Sequence, residues 1–135
     1  MATISTAAAN DLVRAAHQHA EQIGVPSTVT VLDAGGRFVA GARMDGAPLI
    51  SIDTSAAKAR TATFFKMATG DLVGAIQPGA PLYTIGAATT EQLAFLAGGI
   101  PLFDDAGELR GAIGSGGGTP EQDAEIAGAA VEATS

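Results

Sequence analysis

The chain has 135 residues and a formal net charge of −7 at pH 7, with 18 glycines and no cysteine or tryptophan. This length predicts a single domain over residues 1–135 with a core large enough to fold without disulfides. The lack of cysteine excludes thiol catalysis and cysteine-ligated metal centres, and an acidic chain with one tyrosine is not expected to bind nucleic acid. No apolar run approaches the ~20 residues of a membrane span, and the first ten residues lack the basic and apolar regions of a signal peptide. We therefore expect a cytoplasmic protein without a membrane partner.

The first half of the sequence predicts a helix, a hairpin and a second helix. Apolar residues repeat at helical spacing over 5–23, and Gly24 and Pro26 then end the helix. Two apolar and β-branched runs, 28–32 and 37–43, flank a glycine-containing turn at 33–36, which predicts an antiparallel hairpin. The second helix is predicted over 52–68, and its many small residues favour close packing against a neighbouring element.

The second half predicts another hairpin and a last helix. A short helix is expected over 71–76, before Pro78 and Gly79. Residues 83–87 could be extended, 89–92 resemble a helix start, and 93–96 fit either type. Segments 100–103 and 109–114 form the second hairpin, and the last helix runs from Pro120 to about residue 133. This order predicts an α+β domain whose helices pack against an antiparallel sheet.

A glycine-rich stretch leads from the last strand into the last helix. Thr119 suits the N-cap, Pro120 the first helical position and Gln122 the capping-box position. Main-chain N–H groups before a helix can bind a carboxylate, phosphate or enolate oxygen. The predicted ligand-binding positions are Ser115, Gly116, Gly117 and Gly118.

The same stretch also fits a purely structural role. Glycines allow a bent strand end and a close packing contact, and the acidic residues Glu121, Asp123 and Glu125 are typical of a solvated helix face that already compensates the helix dipole. No lysine follows the glycines, which excludes a P-loop. The spacing also differs from the dinucleotide-binding G-x-G-x-x-G pattern.

Basic residues cluster in the middle of the chain. Arg43, beside Asp45 at a strand end, and Lys58, on the most alanine-rich helix, are candidates to bind an organic anion. Lys58 could instead form a salt bridge, with Asp33, Asp45 or Asp53 as the expected partner. Arg60 and Lys66 are interpreted as surface charges.

The two histidines, His17 and His19, lie two positions apart on the first helix. Residues with this spacing do not face each other, so the pair cannot hold one metal ion and no metal site is predicted. Either residue alone could ligate haem iron or transfer protons. The alternative is that both are ordinary surface residues.

Five motifs in order carry a family resemblance: VTVLDAGG at 29–36, RMDGA at 43–47, AKARTA at 57–62, GGIPL at 98–102 and GAIGSGG at 111–117. Together they resemble the haem-degrading-domain family, also called GlcG/HbpS-like, which is related to the C-terminal domain of PduO-type cobalamin adenosyltransferases. The resemblance implies a profilin-like three-layer α/β/α sandwich around a five-stranded antiparallel sheet, assembled into a homo-oligomer. It also implies that haem is a candidate ligand, with His17 or His19 as its ligand, and that the motifs containing Arg43, Asp45 and Lys58 line a shared cleft.

Three functions remain open on the sequence. The first is a binding domain for an acidic small molecule, either haem or another tetrapyrrole or a short organic acid, held by Arg43, Lys58 and residues 115–118. The second is a cofactor-independent isomerase, tautomerase or lyase acting on a small carbonyl or carboxylate metabolite. Lys58 or Asp45 would then move a proton, while Arg43 and main-chain donors stabilise an oxyanion. The third is an oligomerisation or accessory module.

Overall fold

A computed structural model describes residues 3–135. Met1 and Ala2, which belong to the predicted domain 1–135, lie outside the described residues. The elements in chain order are α1 (Thr6–Ile23), β1 (Thr28–Asp33), β2 (Phe38–Arg43), α2 (Ser51–Phe65), β3 (Gly99–Phe103), β4 (Leu109–Gly116) and α3 (Pro120–Thr134). Two 3₁₀ segments, Thr69–Ile76 and Ile85–Ala88, connect α2 to β3. This is the predicted α+β order of helices and hairpins.

The sheet is antiparallel throughout, in the order β2-β1-β4-β3. The expectation of five strands is wrong for the described chain, because residues 3–135 form a four-stranded sheet. Residues 83–87, considered as a possible strand, lie in turns and the second 3₁₀ segment, and no helix starts at 89–92. Pro78 and Pro81 have no N–H to donate to a β-ladder, which disfavours strand pairing in this region.

Helices cover both faces of the sheet and give three layers. Helices α1 and α3 pack on each other and on one face, while α2 covers the opposite face. The side chains of β1 alternate between the two faces of the sheet. Val29 and Val31 belong to the core beneath α1 and α3, and Leu32 belongs to the smaller cluster beneath α2. The domain therefore has a three-layer α/β/α arrangement.

Helix α2 lies very close to the sheet. The hydroxyls of Thr28 and Ser51 are 2.7 Å apart, and those of Thr30 and Ser55 are 2.8 Å apart. This contact confirms the close packing that the small residues predicted. The helix ends at Phe65 rather than at residue 68, because Lys66 adopts a left-handed conformation with φ 54°. Within residues 3–135, no helix is long and apolar enough to cross a membrane.

Candidate functional site

Lys58 and Asp123 form an ion pair that is buried inside the domain. The Lys58 Nζ donates to Asp123 Oδ2 at 2.6 Å and to the Ser115 carbonyl oxygen at 3.1 Å, and each side chain is 3% exposed. Two expectations are thereby corrected. Asp123 does not lie on a solvated helix face, since α3 turns it towards the sheet, and the partner of Lys58 is none of the three aspartates proposed from the sequence.

The ion pair connects the two helical layers past the end of a strand. Strand β3 begins at Gly99, opposite Gly114, whereas β4 continues to Gly116 along β1. Lys58 passes through the resulting gap beside Gly98, where a Cβ atom would lie only 3.0 Å from Lys58 Cδ and 2.9 Å from Asp123 Cβ. The glycine at position 98 thus provides the space through which an α2 side chain reaches α3.

The glycine-rich loop is held mainly by the first turn of α3. The Gly118 N–H donates to Asp123 Oδ1 and the Thr119 N–H donates to Gln122 Oε1, both at 2.9 Å. Thr119 Oγ1 accepts from the Gln122 N–H at 3.2 Å, which confirms the predicted capping box. Of the main-chain donors expected to face a ligand, the Gly118 N–H is therefore occupied by a side chain of the helix, and the Ser115 N–H donates to the Gly98 carbonyl oxygen at 3.0 Å.

The other predicted loop positions are packed against their neighbours. A Cβ atom at Gly116 would lie 2.4 Å from Thr54 Oγ1, and one at Gly117 would lie 2.7 Å from the Pro26 carbonyl oxygen. Ser115 is fully buried, and its Oγ has no hydrogen-bond partner within residues 3–135. The loop is thus closely packed, as expected if its glycines have a structural role. It also contains one buried hydroxyl, on Ser115, that has no hydrogen-bond partner in the described chain.

A cavity of about 170 Å³ lies beside the ion pair. Its polar wall contains both members of the pair, and the remaining wall comes from the 48–54 segment, Leu96 and the loop before α3. The lining residues are Pro48, Ile50, Thr54, Lys58, Leu96, Gly117, Gly118, Pro120 and Asp123. The structure therefore brings together Lys58, Gly117 and Gly118 from the predicted site.

Arg43 and Asp45 are exposed and do not line this cavity. Arg43 pairs with Thr28 on β1, which in turn pairs with Gly116 on β4. The Arg43 and Gly116 backbones are thus two strands apart in one row, a separation of roughly 10 Å. Arg43 shares this end of the sheet with the cavity, and its participation in a common anion site with Lys58 stays a prediction.

The two histidines have different environments. The Nε2 of His19 lies 2.6 Å from Glu125 Oε2 on α3. The Nε2 of His17 is buried and has no hydrogen-bond partner in the described chain. Burial lowers the pKa of His17 below its usual 6.5, and the main chain of Ala42 and the charge of Glu21 oppose this only in part. His17 is therefore a neutral imidazole with a free ring nitrogen near pH 7, which is the form that binds metals.

Known proteins are similar to this chain in sequence and fold. Residues 4–132 match the family described as haem degrading protein HbpS-like. The chain is 37% identical over 132 residues to an uncharacterized 15.0 kDa protein from the dhaT-dhaS intergenic region of Citrobacter freundii, with 98% of this chain and 92% of the relative covered.

Two further relatives link the fold to PduO. The corrinoid adenosyltransferase PduO of Citrobacter freundii is 38% identical over 124 residues, which are 92% of this chain and 37% of that enzyme, so the chain spans little more than a third of it. The crystal structure of a PduOC:heme complex superposes with a TM-score of 0.92 at 37% identity, covering 97% of this chain and 94% of the other. The chain therefore belongs to the HbpS-like haem-degrading protein family, as its five motifs predicted.

Proposed function

We propose that this domain binds haem and that the imidazole of His17 would hold its iron. Membership of the HbpS-like family supports haem as the ligand. A further argument is that a solved relative with the same fold is a complex with haem. The sequence left His17 and His19 as equal candidates, and the arrangement of their side chains favours His17.

The free Nε2 of His17 is the observation that carries this choice. A buried polar atom without a hydrogen-bond partner costs roughly 1–3 kcal/mol, so a ligand that satisfies it is favoured. Iron is such a ligand, since haem iron is commonly held by a histidine nitrogen. The His17 side chain as a whole is only partly buried, so a movement of the ring or of its neighbours would be needed to bring the buried Nε2 to the iron. Ligation through Nε2 of His19 would first break its 2.6 Å contact with Glu125.

Bound haem would supply a redox-active iron, and the protein would supply the imidazole and a cation for the propionates. Lys58 is a poor propionate partner because it is buried against Asp123. Arg43 is exposed and forms no ion pair within residues 3–135. Its strand partner Thr28 contacts Ser51 of α2, so the Arg43 side chain leaves the sheet on the face opposite to His17. A propionate contact by Arg43 would therefore require its long side chain to pass around the edge strand β2.

A haemin titration followed in the Soret region tests the proposal. The native protein should give a saturable, shifted Soret band. The variant His17→Ala should bind at least about 10-fold more weakly, since even loss of an indirect metal contact costs 10–100-fold. His19→Ala is the matched control on the same helix and should bind like the native protein. Equal binding by the native protein and His17→Ala, or loss of binding only in His19→Ala, would contradict the assignment.

The pH dependence of the same titration gives a second measurement. A proton and iron compete for the imidazole nitrogen, so haemin affinity falls once the pH drops below the pKa of His17. Because burial lowers that pKa below 6.5, the affinity should stay constant from pH 8 to 6.5. Below the pKa of His17 it should fall by about 10-fold per pH unit. A 10-fold loss of affinity already reached at pH 6.5 would exclude His17 as the titrating ligand.

A further inference from the structure

We propose that the cavity beside Lys58 and Asp123 is a second binding site, which takes the carbonyl oxygen of a small, uncharged organic molecule such as a ketone or an aldehyde. The cavity lies where α2 and the start of α3 approach each other past the end of β3, and the proposal does not depend on haem binding. It replaces the acidic ligand that the sequence suggested for Lys58 with a neutral one.

The charges at the cavity argue against an anion. The ammonium group of Lys58 is 2.6 Å from the Asp123 carboxylate, so its charge is already compensated at the cavity wall. Arg43 does not line the cavity, and among residues 3–135 Lys58 is the only cation in its lining. An entering carboxylate would therefore meet the charge of Asp123 without an uncompensated cation, whereas a neutral carbonyl would not.

The hydrogen bonds of Lys58 nevertheless leave room for one acceptor. An ammonium group has three N–H donors. Two of them are used, by Asp123 Oδ2 and by the Ser115 carbonyl oxygen, and no other acceptor for Lys58 lies within residues 3–135. Lys58 is 2% exposed and lines the cavity. The proposal places its third N–H towards the cavity, where a bound molecule would supply the acceptor. A hydrogen bond to a charged donor in such a buried place is stronger than one at the surface.

The other residues that line the cavity indicate the chemistry of the rest of the ligand. Pro48, Ile50, Leu96 and Pro120 present mainly apolar surface, and Thr54 adds a hydroxyl. A volume of about 170 Å³ admits only a small molecule. The complementary ligand is thus short and aliphatic, with a single carbonyl group.

Amide chemical shifts of the isotope-labelled full chain, titrated with 2-butanone and separately with butanoate, test the site. We expect saturable shifts from 2-butanone at Thr54, Gly117 and Gly118, with a dissociation constant in the millimolar range. Butanoate should bind at least about 10-fold more weakly, because it carries the charge that Asp123 repels. The absence of saturable shifts at these amides with 2-butanone would overturn the proposal. Butanoate binding as tightly as 2-butanone would also overturn it, since the site would then select anions.

Two variants test whether 2-butanone binds in this cavity, so that the test does not depend on a single substitution that could unfold the protein. Leu96→Trp narrows the cavity from a side chain that is 45% exposed, and it should weaken 2-butanone binding at least about 10-fold. Leu49→Trp is the matched control, because Leu49 is 72% exposed nearby and does not line the cavity. The double variant Lys58→Met with Asp123→Leu removes the donor without leaving one charge unpaired, and it should also abolish the saturable shifts. Native-like binding by both Leu96→Trp and the double variant would refute the site.

Discussion

Single glycine residues determine how closely α2 approaches the sheet. On β4, Gly114 faces the helix, and a Cβ atom there would lie 2.0 Å from the Ser55 carbonyl oxygen and 2.7 Å from the Ala59 nitrogen. On β3, a Cβ atom at Gly99 would lie 2.3 Å from the Lys58 carbonyl oxygen. These contacts are with backbone atoms, which cannot rotate away as a flexible side chain could. The position of Lys58 over the gap at the end of β3 therefore depends on glycine at both positions.

Replacing Gly114 by alanine tests this dependence. The variant should lose at least about 2 kcal/mol of unfolding free energy, because overpacking at a rigid contact commonly costs 1–3 kcal/mol. Urea denaturation followed by circular dichroism measures the loss. Gly74→Ala is the control, since a Cβ atom at Gly74 would meet nothing within 4 Å. A loss in Gly114→Ala no larger than in Gly74→Ala would show that α2 can shift away from the sheet at little cost.

The partner of Lys58 is a residue-scale feature that the sequence could not provide. The alanines around Lys58 indicated burial, and a buried lysine requires an anion. Asp123 is one of 14 acidic residues and lies 65 positions away, so spacing alone could not select it. The acidic residues near the start of α3 were interpreted as a solvated helix face. Only the packing of α3 on the sheet shows that Asp123 is buried while Glu121 is exposed. His17 and His19 were likewise separated only by their contacts with other elements.

Among the elements, the start of α3 was predictable because its signals are local. Thr119, Pro120 and Gln122 lie within four positions, and each stabilises the same helix end. The segment between α2 and β3 gave no comparable signal, since short apolar runs there alternate with proline and glycine. The resemblance supplied a fifth strand that the described chain does not form, whereas the hairpins 28–43 and 100–114 were predicted from short apolar or β-branched runs beside turn residues.

Replacing Thr119 by alanine tests the contribution of the cap. The Thr119 hydroxyl accepts from the Gln122 N–H, and removal of such a cap costs about 1 kcal/mol, within a range of 0.5–2. The unfolding free energy from urea denaturation should fall by that amount. Thr90→Ala, at an exposed position in the connection before β3, is the control and should change it by less than about 0.5 kcal/mol. Equal effects of the two substitutions would mean that the Gln122 side chain and water replace the cap.

Across the whole molecule, the Lys58–Asp123 pair directly joins the two helical layers, which lie on opposite faces of the sheet. Lys58 belongs to α2 on one face and Asp123 to α3 on the other, and the carboxylate also holds the Gly118 N–H of the loop between β4 and α3. A single buried pair thus fixes three elements relative to one another at the end of β3. The same contacts form the polar wall of the cavity, so the stability of the fold and the geometry of that site are coupled.

This coupling predicts a non-additive pair of substitutions. Lys58→Met alone leaves the Asp123 carboxylate buried without its cation and should lower the unfolding free energy by about 3–5 kcal/mol. Adding Asp123→Leu removes the stranded charge and should restore most of that loss, except for about 1 kcal/mol from the lost Gly118 hydrogen bond. Urea denaturation of the native chain, the two single variants and the double variant gives the coupling energy directly. Additive losses would mean that α2 and α3 are held in place independently. In that case the charge left by each single substitution would be satisfied by another residue or by water.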